Sequence, residues 1–271
     1  MKRRTFSLAF ATAAVSPIAG GARAQGEDKI GVLMLHGKNP GNPNDPFFRP
    51  QMAKLEREGM VALMPDMPWS QRRYLEGDWD GAMQEIAGHV ATLRLKGATR
   101  IVLMGHSMGC PAALCHAARA KDVHALVLFA AGHVPRGYYT YPSLSAVRKS
   151  IDEARELVAA GRGAEKTRFA DINQGRVLSV WMPAKDYLSY FDPDSDADMG
   201  VTAPRVPATI PVLTVMGDAD PLFKLARAYF HDKLPPNPKT RYLEVSANHV
   251  TTPGAAIDQA IPWIKEAVLS R

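Results

Sequence analysis

Ser107 stands in Gly105-His106-Ser107-Met108-Gly109, a G-x-S-x-G pattern with the apolar run Ile101-Val102-Leu103-Met104 before it and a helix-forming segment after it. Such a serine is either a nucleophile held at the tip of a sharp turn or an ordinary serine in a glycine turn. A serine hydroxyl attacks poorly until a base accepts its proton. The first reading therefore needs a histidine, a carboxylate to orient that histidine, and two hydrogen-bond donors for the oxygen that becomes negative. His36, His106, His133, His231 and His249 are available as bases, and Asp66, Asp218 and Asp220 as acids. Which of them can reach Ser107 depends on the elements that carry them.

Six apolar runs, 30–35, 60–65, 100–105, 124–131, 211–217 and 240–246, read as strands. They are continuous rather than alternating, as parallel strands covered on both faces should be. Helical stretches are expected between them at 46–58, 79–96, 108–120, 221–233 and 254–269. Asp45-Pro46 and Asp220-Pro221 have the form of an N-cap followed by proline in the first turn. Alternating strands and helices predict a single α/β core with one open, doubly wound sheet. The rhythm breaks between Gly132 and Pro211, where an aromatic-rich stretch, a helix over "SAVRKSIDEARELVAAG" and a second helical piece near 164–179 are expected. The organisation predicted is a core of residues 25–132 and 206–271 with a helical cap inserted at 133–205.

Ligands of parallel α/β sheets bind at the carboxyl ends of the strands. In order, those ends deliver His36-Gly37-Lys38-Asn39, then Asp66, Pro68 and Trp69, then Ser107, then Gly132 and His133, then Asp218 and Asp220, and last Asn248 and His249. A nucleophile candidate, carboxylates and histidines thus share one edge of the sheet.

With "GHSMG" between a strand and a helix, the mature chain resembles the α/β-hydrolases over almost its whole length. The resemblance implies a nucleophile elbow at Ser107, flanked by Gly105 and Gly109 because the turn packs its backbone tightly. The family order of nucleophile, acid and base assigns Asp220 of "GDAD" as the acid and His249 as the base. Asp218 is the rival acid and His231 the rival base. The implied oxyanion donors are the amides of Met108, after the nucleophile, and of Lys38, after the first strand. The activity implied is hydrolysis of a carboxylic ester through an acyl-enzyme, with no cofactor and no metal. Acyl transfer, thioester hydrolysis and aminopeptidase action use the same triad and stay open, as does a noncatalytic ligand-binding role. A serine nucleophile argues against the dehalogenase branch, which uses aspartate. The chain departs from the family in lacking two leading strands, so a minimal six-stranded sheet is expected.

The remaining features bound the reading. Lys2, Arg3 and Arg4, the mildly apolar stretch to Gly20 and Ala22-Arg23-Ala24 have the form of a cleavable export signal over residues 1–24, twin-arginine in type, and imply a periplasmic or secreted product. Those residues hold four of the formal +6 charges, leaving +2 on the mature chain and no basic excess that would suggest nucleic-acid binding. No run is long enough to hold the mature chain in a membrane, and the expected partner is a small ester or acyl substrate. Cys110 and Cys115 fall on one predicted helix too far apart for a relaxed disulfide and read as small buried hydrophobes. Asp192, Asp194, Asp196 and Asp198 alternate as in a calcium loop, but Ala197 and Ala203 replace its glycine and glutamate, so a solvated acidic turn is expected. The glycines after the first strand do not form the dinucleotide fingerprint. His36 and His106 read as packing residues. His133 either lines the pocket or is a plain loop histidine. The insertion's aromatics, Tyr138, Tyr139, Tyr141, Trp181, Tyr187, Tyr190 and Phe191, either pack the cap or line the pocket.

Overall fold

The computed structural model describes residues 28–269; the expected export signal lies outside them. In chain order the elements are β1 (Ile30–Leu35), α1 (Pro50–Arg57), β2 (Val61–Leu63), α2 (Trp79–Leu95), β3 (Arg100–His106), α3 (Gly109–Ala120), β4 (Ala125–Phe129), α4 (Pro135–Thr140), α5 (Ser145–Ala159), β5 (Lys166–Asn173), β6 (Arg176–Pro183), α6 (Ala184–Phe191), α7 (Met199–Thr202), β7 (Val212–Gly217), α8 (Phe223–Tyr229), β8 (Arg241–Val245) and α9 (Thr252–Leu269).

Six strands form one sheet in the order β2-β1-β3-β4-β7-β8, and every neighbouring pair is parallel. Side chains alternate between its faces, which is why the apolar runs are unbroken. Leu33, Leu35, Ile101, Leu103, Leu126 and Leu128 pack under α2 and α3. Val32, Met34, Val102, Met104, Val127 and Phe129 pack with Phe48, Ile257 and Ile264 on the α1 and α9 side. Met216 and Val215 extend the same alternation into β7. The sheet is therefore the rigid platform whose carboxyl edge presents the loops after β1, β3, β4, β7 and β8.

Two helices begin later than their sequence signals suggest. Asp45 accepts from the amides of Phe47 and Phe48, both at 2.9 Å, and so caps the turn over 46–49 that precedes α1. Asp220 likewise caps a turn, accepting from Leu222 N at 2.7 Å, while α8 begins at Phe223.

The insertion corrects one expectation. It is not wholly helical: residues 164–179, read as a helix, contribute to an antiparallel hairpin, β5 with β6, paired from Lys166–Pro183 to Asn173–Arg176. Its pattern is of period two, with Phe169, Asp171, Val180 and Met182 buried on one face and Lys166, Arg168, Ser179 and Trp181 exposed on the other. Gln174 and Gly175 both take positive φ, 48° and 75°, the geometry of a two-residue hairpin turn. Helix α5 stands as expected, with Val147, Ile151 and Ala154 buried along one stripe. Phe169, Tyr187 and Phe191 stack at centroid distances of 4.5 and 4.4 Å, and Tyr190 meets Trp79 of α2 edge-on at 5.4 Å. The stack packs the hairpin against α6 within the insertion, and the Tyr190–Trp79 contact fastens the insertion to the core. Trp181 is 64% exposed and takes no part in that packing.

The alternating aspartates are neither a calcium loop nor a free acidic turn. Asp192 pairs with Arg155, Asp194 with Arg136, and Asp196 with Arg119 and Arg205. Asp198 is fully buried, accepting from Arg136 N, Gly200 N and the Tyr229 hydroxyl. Among the described residues no cluster of ligating side chains could hold a metal ion, and no helix is long and apolar enough to cross a membrane.

Candidate active site

The geometry at Ser107 is that of a strained elbow. Its φ is +53°, a region L-residues seldom occupy. The turn passes from β3 into α3 with no room at its flanks: a Cβ on Gly105 would lie 2.5 Å from the Gly109 carbonyl carbon, and one on Gly109 only 1.9 Å from the Leu35 carbonyl oxygen. The glycines are thus demanded by contact, and the strain at Ser107 is held by the β3 and α3 packing on either side.

His249 Nε2 lies 2.9 Å from Ser107 Oγ, and His249 Nδ1 lies 2.6 Å from Asp220 Oδ2. The Asp220 side chain has no exposure and that of His249 is partly open. The carboxylate divides its oxygens, Oδ2 to the imidazole and Oδ1 to Leu222 N, so the turn cap fixes the rotamer that orients His249. Asp218 does not reach the histidine; its Oδ1 accepts from Ala247 N at 3.2 Å and holds the end of β8. His231 lies in a short turn after α8, with its Nδ1 2.9 Å from Thr214 Oγ1. Of the rival acids and bases, the structure brings Asp220 and His249 to Ser107 and leaves the other two elsewhere.

Met108 is the residue before α3, so its amide belongs to the first-turn donors that have no intrahelical acceptor. The Lys38 loop abuts Ser107, since a Cβ on the preceding Gly37 would be 3.1 Å from Ser107 Cβ. Among the described residues neither amide is engaged by a loop or side-chain acceptor. The loop is held from below by His36: Met67 N donates to His36 Nε2 at 3.2 Å, which makes Nδ1 the protonated nitrogen donating to Gly37 O at 2.8 Å. Burial lowers the His36 pKa and keeps that neutral tautomer. Trp69 Nε1 donates to His36 O at 2.7 Å, and Asn39 N to Trp69 O at 3.1 Å.

Two neighbours carry more of the site than their sequence context reveals. His106 Nε2 lies 2.9 Å from His249 O, so the residue before Ser107 grips the backbone of His249. Burial, with the nearby His249, lowers its pKa to about 4, and the neutral ring donates through Nε2. Gly132 faces the hydroxyl: a Cβ there would sit 2.9 Å from Ser107 Oγ. A small residue three positions past the end of β4 is the only sequence signal for it. His133, next along, is buried with Nε2 donating to Tyr190 O at 2.7 Å and its ring between Tyr138 and Phe191. It joins the insertion to the core rather than approaching Ser107 as a base. Cys110 and Cys115 are buried free thiols.

A parallel sheet covered on both faces, with serine, histidine and aspartate linked in series on the loops after β3, β8 and β7, defines the α/β-hydrolase architecture. The sequence matches the alpha/beta hydrolase family over residues 32–259, and the chain belongs to that family. No curated protein matches it closely enough to be a relative. Solved structures agree on the fold. A structure described with LipS and LipT, two metagenome-derived lipolytic enzymes, has a TM-score of 0.61 at 16% identity, covering 88% of this chain and 94% of that one. Est1E from Butyrivibrio proteoclasticus with ferulic acid bound gives 0.62 at 15%, covering 92% and 93%. The monoacylglycerol lipase of Paleococcus ferrophilus gives 0.61 at 17%, covering 88% and 94%.

Proposed function

We propose that the protein is an exported serine hydrolase that cleaves a carboxylic ester through Ser107, His249 and Asp220. The observation that carries the reading is the unbroken hydrogen-bond series Ser107 Oγ–His249 Nε2, 2.9 Å, and His249 Nδ1–Asp220 Oδ2, 2.6 Å. In the first half-reaction Ser107 Oγ bonds to the ester carbonyl carbon as His249 Nε2 takes its proton. The buried Asp220 carboxylate stabilises the imidazolium and holds the tautomer. The amides of Met108 and Lys38 would donate to the carbonyl oxygen as it becomes negative. Collapse of the tetrahedral intermediate breaks the bond to the alkoxy oxygen, which leaves as the alcohol with the proton from His249. Water then adds to the acyl-enzyme, again deprotonated by His249, and the acid departs as Ser107 recovers its proton.

The chain retains every part that acyl-enzyme chemistry needs, and these parts serve thioesters, amides and acyl transfer as well as esters. The solved structures named above include lipolytic enzymes and an esterase, in line with the ester reading at the level of fold. The test is hydrolysis of p-nitrophenyl esters of increasing acyl length by the mature chain beside Ser107→Ala. Turnover lost in the variant supports the proposal; equal inertness of both would refute the ester reading. Export rests on the basic head and the Ala22-Arg23-Ala24 site of residues 1–24. Cell fractionation with N-terminal sequencing of the mature chain would test it, and a cytoplasmic protein with Lys2 retained would refute it.

A further inference from the structure

The loop that carries the Lys38 amide is gripped from above as well as from below. The Lys38 ammonium reaches into the insertion, where Nζ donates to Asp171 Oδ1 at 2.6 Å and to Ile172 O at 2.7 Å. Its side chain is 8% exposed and that of Asp171 not at all. The second oxygen of Asp171 accepts from the Tyr74 hydroxyl, so both carboxylate oxygens are occupied. Two residues further along β5, Asn173 Nδ2 donates to Asn39 O at 2.7 Å. The last three residues of β5 thus hold two consecutive residues of the loop, Lys38 through its side chain and Asn39 through its backbone.

A buried ion pair of this kind contributes little net stability, because the desolvation of both charges offsets their attraction. Burial lowers the Lys38 pKa, with Asp171 opposing it, so the pair is no easy source of folding energy. What it fixes is geometry. The hydrogen bonds of His36 and Trp69 set the loop against the sheet; those of β5 set it against the insertion. An amide that must meet a developing oxyanion gains most from being immobile before the reaction begins.

We propose that the β5–β6 hairpin positions the oxyanion loop, with Asp171 and Asn173 as positioning residues that keep the Lys38 amide aimed at the tetrahedral intermediate. The insertion then serves the chemical step and not only substrate selection. The proposal rests on the acyl-enzyme reading above. It predicts that loosening the grip lowers kcat and leaves KM nearly alone, since the oxyanion exists only in the transition state.

The test compares wild type with Asn173→Ala and Asp171→Asn, with Arg168→Ala on the exposed hairpin face as the control. Active sites are titrated with a fluorophosphonate, so kcat refers only to folded, competent enzyme. Backbone hydrogen–deuterium exchange is followed over residues 36–42. Asp171→Asn leaves the Lys38 ammonium buried opposite a neutral amide and risks unfolding, so Asn173→Ala, at a half-buried position, decides the matter. The expected result is a kcat per titrated site lowered roughly 10- to 100-fold with KM within about twofold, and faster exchange confined to 36–42. The proposal is overturned if either kcat per site or exchange over 36–42 stays at the wild-type value in Asn173→Ala. Wild type inert on every ester would be a failure of the ester reading instead, and the exchange measurement would still decide whether the hairpin holds the loop.

Discussion

Replacing Gly132 with alanine should separate activity from stability. The added Cβ would lie 2.9 Å from Ser107 Oγ, 3.4 Å from His249 Cε1 and 3.5 Å from Ser107 Cα. Only the first distance is forbidding, and it involves an atom that can rotate. Gly132 is not among the glycines with positive φ, so its backbone suits alanine. The hydroxyl relieves the clash by turning about χ1, at about 0.5–1.5 kcal/mol for a 30° departure from its rotamer. That rotation weakens the 2.9 Å hydrogen bond to His249, worth about 0.5–1.5 kcal/mol. Together the barrier should rise by about 1–3 kcal/mol, which lowers kcat/KM roughly 5- to 150-fold. Stability should hold or improve slightly, because alanine restricts the unfolded chain at this compatible position by about 0.4–1 kcal/mol. Ester hydrolysis per folded enzyme and a thermal melt read the two effects separately. Wild-type kcat/KM in Gly132→Ala, or a loss of activity that merely follows a lower Tm, would refute the reasoning. Gly109→Ala is the opposite case: its Cβ would meet the Leu35 carbonyl oxygen at 1.9 Å, so it should yield little folded protein.

Asp220→Ala should lower kcat at least 100-fold, since it removes the group that orients and stabilises the imidazolium, whereas Asp218→Ala should keep activity within about threefold; comparable losses in both would contradict the separation of their contacts. The buried histidines make stability depend on acid. His106 and His133, lowered by burial to about 4 and about 3, bind protons in the unfolded chain before they do so in the folded one. Their stabilisation is therefore present above pH 6.5 and is lost as pH falls from there through about 4 and then about 3. For His106 alone the full loss is about 3 kcal/mol, and urea midpoints at pH 7.5 and pH 5 should differ in that direction and by less in His106→Asn; equal midpoints would refute the assignment. Cys110 and Cys115 are buried, and burial raises the Cys115 pKa to about 11. A thiol reagent should leave the native protein unmodified and label both cysteines in denaturant, and rapid labelling of the native chain would count against the packing described.

The parts legible in the sequence were those set by a local rule. The four inner strands, β1, β3, β4 and β7, are marked by unbroken apolar runs because each is covered on both faces, whereas the edge strands β2 and β8 are only partly buried; the elbow is marked by glycines that backbone contact demands. Ser107, Asp220 and His249 could be placed on one edge because parallel strands deliver their carboxyl ends together. The choice of Asp220 over Asp218 needed the family order, since two carboxylates two residues apart look alike until one of them caps Leu222 N. The hairpin of the insertion differs from the helix expected there, although its signals are present. Asn173-Gln174-Gly175-Arg176 is a turn sequence and the flanking residues alternate, but the buried face includes Asp171, a charge where an apolar residue would have made the alternation plain. That carboxylate is buried only because Lys38, more than a hundred residues earlier, meets it. A residue whose burial depends on a distant partner leaves no periodic trace of its own. For the same reason the contacts most specific to this chain, those between the insertion and the Lys38 loop, are the ones that motif and periodicity do not record and that only the folded arrangement exposes.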